Sequence, residues 1–240
     1  MSLSSASSFI GGIKEYVYQG IKSFPLVISS AVLIYTVSTG SIAFMNLFLG
    51  LGILMPIYTF VLQKILGIIF NYISPGSLFW RRDSSDICRI VPSYDKKDLQ
   101  HFLGNQNTEV IPSYWLMNLS FFIGYCITNA VDSLNKSNCD SLSNEQDQRN
   151  TKALFIIVAT SVFALLMLLL RFRYMSGCEG SGFLGILVSI LCAGGAAVSG
   201  YGIYVASRVC GARTSDLFGI LSQILPVSAM SQNPVVCTAN

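Results

Sequence analysis

The most informative shortage in this chain is charge. Only 11% of its 240 residues are charged, and 52% are hydrophobic, whereas a soluble domain carries about 25% charged residues. The uncharged residues fall in blocks long enough to cross a bilayer, the longest being the 41 residues from Ser23 to Gln63. This pattern predicts an integral membrane protein.

Residues that carry common chemistries are also scarce. The chain has a single histidine, His101, and no C-x-x-C pair, which argues against a zinc site. No carboxylate lies within a predicted span, so proton relays and cation coupling lack their usual residues. Gly180 to Gly185 matches G-x-G-x-x-G, but no strand precedes it. We therefore predict no catalytic residue, cofactor or metal and no enzyme activity, and a net charge of +3 is too small to indicate nucleic acid binding.

The 41-residue uncharged block predicts a transmembrane hairpin. As one helix it would be about twice as long as the roughly 30 Å hydrocarbon core requires. Thr39-Gly40-Ser41 interrupts it with small polar residues, so we place a turn there. Span one then covers about 24–38 and span two about 42–63, with a bend expected at Pro56.

Three further apolar runs predict spans three to five at about 114–131, 153–170 and 182–206. The predicted fold is an all-α polytopic transmembrane helix bundle of about five spans, the alternative being four spans plus a re-entrant segment. We read the chain as one membrane domain: an interfacial amphipathic helix (1–22), the hairpin (23–74), a polar loop (75–111), a three-span bundle (112–206), and a polar tail with a short amphipathic helix (207–240). A simple extension of span one is an equal reading of residues 1–22.

Two sets of residues are candidates for helix packing. Asn118, Tyr125 and Asn129 share one face of span three, which should point into the bundle because polar groups facing lipid are costly. Gly194, Gly195 and Gly200 lie in a run of small residues that lets helix backbones approach closely. The polar face has a second reading, as the lining of a pore.

The distribution of Lys and Arg predicts the orientation. With the amino terminus inside, ten of the fifteen basic residues fall on the inner side. Trp80, Arg81 and Arg82 are candidate interface anchors at the start of loop 75–111, whose alternating charges indicate either a solvated face or a docking surface. Cys210 and Cys237 then share the outer side and are a candidate disulfide.

The apolar hairpin, the short loops bearing Asn and Cys, and the tail from Cys210 to Gly219 (CGARTSDLFG) resemble membrane proteins of large icosahedral double-stranded DNA viruses. These viruses hold a lipid membrane beneath a capsid. The resemblance covers mainly the tail and the layout. It implies a minor capsid protein that joins the virion inner membrane to the capsid.

From these observations we expect a structural or assembly protein that anchors neighbouring proteins to a lipid bilayer. Its partners would be other membrane, capsid or scaffold proteins, reached through 75–111 and 207–240, with a homo-oligomer as a further candidate. The alternative, from another functional class, is a small channel or transporter that uses the polar face of span three and the glycine-rich span five.

The candidate disulfide gives a direct prediction. If Cys210 and Cys237 are bridged, alkylation of the denatured full-length protein without reductant will leave both unmodified, and reduction will add two alkyl groups in a peptide-resolved mass spectrum. Full labelling of both thiols before reduction would exclude the bridge.

Overall fold

The computed structural model describes residues 3–40, 42–73, 111–135, 143–175 and 183–209. This part of the chain is helical and contains no strand. In chain order the helices are α1 (Leu3–Thr39), α2 (Ile42–Leu49), a π-helical turn (Gly50–Leu54), α3 (Met55–Ile73), α4 (Tyr114–Asn135), α5 (Ser143–Met175) and α6 (Phe183–Val209). An all-helical fold is confirmed.

The hairpin turn lies where the small polar residues predict it. Helix α1 ends at Thr39 and α2 begins at Ile42. Between them Gly40 adopts φ 63°, a left-handed conformation that costs glycine little. Its amide donates to the Thr36 carbonyl at 2.8 Å, which closes the last turn of α1.

The amino-terminal segment is continuous with span one. Helix α1 runs through 37 residues without a break, although Pro25 lies inside it. The structure therefore has no separate helix that ends at residue 22, and it agrees with the reading of residues 1–22 as an extension of span one. The first 13 residues of α1, from Leu3 to Glu15, precede its apolar segment Tyr16–Ser38.

Four helical segments are long and apolar enough to cross a membrane: Tyr16–Ser38, Phe44–Ile73, Asn150–Arg173 and Phe183–Val209. The second continues ten residues past the predicted end of span two at Gln63. Lys64 does not end the helix, because its long side chain can reach the interface while its ammonium group lies 5.9 Å from the Phe60 ring centroid.

Helix α4 is too polar to belong to those four segments, yet it is the innermost helix. Its 22 residues extend over about 33 Å, enough to cross a bilayer. It packs against α1, α3, α5 and α6, and every residue from Ile111 to Leu119 is buried. Helix α4 is thus a fifth helix as long as a membrane span, and its neighbours cover its polar groups.

Close packing of α4 against α6 depends on glycine. A Cβ added to Gly124 would overlap the backbone of Ala197, and one added to Gly200 would overlap the backbone of α4 at Phe121. Gly195 faces the Tyr58 hydroxyl of α3. Gly194 differs from the prediction: it is exposed and nothing lies within 4 Å of its added Cβ, because it is on the side of α6 opposite α4.

Two alanine substitutions separate packing from helix propensity. Gly124→Ala should lower the free energy of unfolding by about 1–3 kcal/mol, since backbone atoms must move to admit the new methyl group. Gly202→Ala is the matched control, because Gly202 is exposed with open space around it, and alanine there should leave stability unchanged or raise it by up to about 1 kcal/mol. Reversible unfolding in mixed micelles measures both. Equal effects of the two substitutions would contradict this account of the α4–α6 contact.

Candidate functional site

Six polar residues, five on α4 and one directly before it, form one line through the bundle, which we call the polar seam. It consists of Ser113, Tyr114, Asn118, Tyr125, Asn129 and Asp132. Asn118 and Tyr125 are 0% exposed and Asn129 is 2% exposed. The face that the sequence assigns to the interior therefore lies in the interior.

The middle of the seam meets an irregular stretch of backbone. Met55 N–H donates to the Gly50 carbonyl, five residues earlier, in the π-helical turn. The Leu51 carbonyl would then bond to the amide of residue 56, but Pro56 has no N–H. Pro56 and the π register together deprive Leu51 of its backbone donor.

Helix α4 supplies the missing donors. The Tyr114 hydroxyl and the Asn118 amide nitrogen each donate to the Leu51 carbonyl oxygen at 3.3 Å, and Asn118 also donates to the Tyr114 hydroxyl at 3.2 Å. Gly50 adjoins the Phe121 ring so closely that an added Cβ would overlap it. Irregular backbone inside a membrane is tolerated where protein groups satisfy it, and here α4 does so.

One end of the seam joins α4 to α6; we call it the Arg208 rim. Asn129 donates to the Tyr204 hydroxyl at 3.5 Å, which donates to Asp132 at 2.9 Å. Asp132 also forms a salt bridge with Arg208. Nearby, the Asn46 amide donates to the Ser207 hydroxyl at 2.7 Å, which ties α2 to α6. These bonds join three helices at one end of the bundle.

At the other end, the Arg171 rim, α4 is joined to α5 and α1. Arg171 is 3% exposed, donates to the Ser113 hydroxyl at 2.6 Å, and lies 4.7 Å from the Trp115 ring centroid. The Trp115 indole N–H donates to the Ile21 carbonyl at 2.7 Å. The indole therefore lies between a guanidinium group of α5 and the backbone of α1.

Helix α3 is held at the same rim. The Gln63 side chain donates to the Pro112 carbonyl at 2.8 Å, just before α4 begins. Ser113 caps that helix, because its hydroxyl accepts from the Leu116 amide at 3.4 Å. The start of α4 is thus fixed by α3 on one side and by Arg171 on the other.

Several of these residues were not predicted as interior groups. The sequence places Arg171 at the end of an apolar span and Asp132 at the start of a loop. Side chains at such positions are ordinarily exposed to solvent. A signal does exist in the pairing of the carboxylate that directly follows span three, Asp132, with the first arginine after span five, Arg208. Cys210, Cys237, Trp80, Arg81 and Arg82 lie outside the described residues, as does nearly all of 75–111 and 207–240.

The seam offers bonds between helices instead of reactive groups. In the described ranges, no three His, Cys, Asp or Glu side chains cluster in a way that could hold a metal ion. The thiols of Cys126 and Cys192 are unpaired, and they lie inside helices α4 and α6. The arrangement can fix helix positions and can accommodate an irregular backbone.

Comparisons with known proteins find no matching family model, no matching curated protein and no matching solved structure.

The link between Pro56 and Asn118 can be tested by a double-mutant cycle. Asn118→Leu should lower the free energy of unfolding by about 1–2 kcal/mol, because the Leu51 carbonyl loses a donor inside the bundle. Pro56→Ala restores an amide hydrogen at residue 56. In the Pro56→Ala variant, Asn118→Leu should therefore lower the free energy of unfolding by less than half as much. Equal costs in both backgrounds, measured by reversible unfolding in mixed micelles, would refute the link.

Proposed function

We propose that this chain is a non-enzymatic structural protein of a membrane, which anchors neighbouring proteins to the bilayer through 75–111 and 207–240. The observation that carries the proposal is the polar seam, whose Asn118, Tyr125 and Asn129 side chains are at most 2% exposed. Such a seam stabilises one arrangement of helices. A rigid membrane body is what an anchor requires.

The attachment points of the two polar segments support the same function. The segment before α4 ends next to Pro112, whose carbonyl accepts the Gln63 bond. The tail begins directly after Arg208 and Val209, where the Asp132–Arg208 salt bridge holds the end of α6. A load applied to either segment is therefore transmitted to the interior of the bundle, since both points lead directly to α4.

A channel or transporter has less support. Its pathway would use the polar groups of α4, but the side-chain nitrogens of Asn118 and Asn129 are occupied by bonds to Leu51 and Tyr204. The faces of Gly124 and Gly200 are filled by close backbone contact between α4 and α6. We infer from these contacts that α4 serves to pack the bundle.

The nature of the partner follows from the resemblance of the tail and layout to virion membrane proteins. We propose a coat or scaffold protein on the surface of the membrane, with the virion inner membrane as the location. Because three helices, α4, α5 and α6, lie between the two polar segments, we expect the segments to lie on opposite sides of the membrane and each to bind a partner on its own side.

Site-specific photo-cross-linking in the native assembly tests the anchor. A photoreactive residue at Phe218 in the tail or at His101 in the loop should yield an adduct with the partner protein on that side, in stoichiometric amount with the chain. The matched control is Leu165, which is 60% exposed on the lipid face of α5 and should yield lipid adducts. Absence of a stoichiometric protein adduct at both tail and loop would overturn the proposal.

Solute flux into vesicles containing the purified full-length protein tests the rival. We expect the flux of potassium, chloride and small neutral solutes to equal that of empty vesicles. Flux that is present in the wild type and lost in Asn118→Leu combined with Asn129→Leu would instead establish the channel.

A further inference from the structure

Helix α4 owes its place in the bundle to other helices more than to its own sequence. Four helical segments of the described chain are long and apolar enough to cross a bilayer, and α4, although as long as a span, is not among them. Asn118, Thr128 and Asn129 interrupt its apolar residues. Such a helix has a weak tendency of its own to enter the hydrocarbon core.

Some of the partners of α4 come late in the chain. The hairpin precedes α4 and binds it through the Leu51 carbonyl. Helix α6 follows only after the whole of α5, yet it supplies the backbone of Ala197 against Gly124 and the hydroxyl of Tyr204 for Asn129. Because a chain is synthesised from its amino end, α4 reaches the membrane before these partners exist.

The directions of the packed helices are those of a chain in which α4 crosses the membrane. The second arm of the hairpin and α5 run opposite to α4, since residues late in both reach its first residues. Contacts with α6 advance in the same order on both helices, from Gly124 beside Ala197 to Asp132 beside Arg208. If α4 instead stayed on the inner side, the side of the amino terminus, α5 and α6 would each have to cross in the reverse direction.

The basic residues that follow α4 favour this reversed arrangement. With α4 across the membrane, five of them belong to the outer side and two to the inner side. With α4 on the inner side, the five are inside and the two are outside, which fits the preference of Lys and Arg for the inner side. The five are Lys136, Arg149, Lys152, Arg208 and Arg213, and the two are Arg171 and Arg173.

Packing favours the other arrangement. Without α4 beside the hairpin, the Leu51 carbonyl loses the donors Tyr114 and Asn118 inside the hydrocarbon core, where no water replaces them. The close contact of Gly200 with the backbone of α4 is lost as well. Charge and packing therefore act in opposite directions on the same helix.

We propose that the chain inserts in two topologies. In the five-span form α4 crosses the membrane and packs as described above; in the four-span form α4 stays on the inner side and α5 and α6 are inverted. The contacts of α4 with the hairpin and α6 select the five-span form, and the basic residues after α4 select the four-span form. This inference does not depend on the proposed anchoring function, because it concerns only how the chain enters the bilayer.

The cysteines of the native chain report the two forms. Cys139 lies between α4 and α5 in the sequence and Cys178 between α5 and α6, so the five-span form places Cys178 inside and the four-span form places Cys139 inside. Cys88 precedes α4 and is inside in both forms. Inverted vesicles from bacterial cells expressing the full-length protein, which expose their inner side, are treated with a maleimide that cannot cross the membrane.

Peptide-resolved mass spectrometry then gives the labelled fraction of each cysteine relative to a detergent-solubilised sample. Cys88 should be labelled completely, whereas Cys139 and Cys178 should each be labelled in part, with fractions that add up to about that of Cys88. Label at only one of the two cysteines in the wild type would overturn the proposal, because the chain would then have a single topology.

A glycine pair tests selection by packing. Gly200→Leu blocks the contact with α4 without changing the sequence of α4, and should lower the ratio of labelled Cys178 to labelled Cys139 about fivefold. Gly202→Leu adds the same side chain to α6 at an exposed position with open space around it, and should leave the ratio within about twofold of the wild type. Equal effects of the two substitutions would refute selection by packing.

A charge pair tests the opposing influence. Lys136→Gln with Arg149→Gln removes two basic residues that favour the four-span form, and should raise the ratio of labelled Cys178 to labelled Cys139. Lys96→Gln with Lys97→Gln removes the same charge from a segment that is inside in both forms, and should leave that ratio unchanged. A ratio that responds equally to both pairs would contradict the role assigned to the basic residues after α4.

Discussion

The structure depends on one backbone carbonyl that has to be bonded inside the membrane. Pro56 and the π register leave the Leu51 carbonyl without a backbone donor, and the hydrocarbon core offers no water to replace it. Tyr114 and Asn118 provide the donors, so the hairpin and α4 must lie side by side in one register. Because the same contact requires Gly50 to face the Phe121 ring, the two elements fit together in shape as well as in hydrogen bonding.

Once α4 is docked on the hairpin, its remaining polar groups decide what else surrounds it. Asn129 and Asp132 need polar partners inside the bundle, and Tyr204 and Arg208 of α6 provide them. Ser113 accepts a hydrogen bond from Arg171 of α5, and Trp115 donates one to the Ile21 carbonyl of α1. The two rims therefore determine the register of the helices, while the apolar and glycine contacts between them determine how closely the helices approach.

Much of the fold could be predicted from the sequence because charge and small residues are read directly. The turn at Gly40 follows from a polar interruption in an uncharged block, and the inward face of α4 follows from the spacing of Asn118, Tyr125 and Asn129. These features depend on single helices. Gly194 shows the limit of such predictions. The run of small residues indicates that α6 packs closely, but it does not indicate which side of α6 faces α4.

Features that depend on two helices could not be predicted. Hydropathy treats Arg171 as a charge at the end of a span, whereas its burial results from Ser113 and Trp115, 58 and 56 positions earlier in the chain. Pro56 predicts a bend, but the π turn and the partners of Leu51 depend on where α4 lies.

Helix α4 also shows why a seam of this kind is compatible with the proposed structural role. Helix α4 is long enough to cross a membrane but is more polar than the other four segments, so its place in the membrane depends on the helices around it. A pathway for solutes would have to expose those same polar groups to water, and their bonds to Leu51, Tyr204 and Arg171 would be lost. Opening the seam would remove the interactions that hold α4 in the bundle, whereas leaving it closed preserves both the helix and the two attachment points beside it.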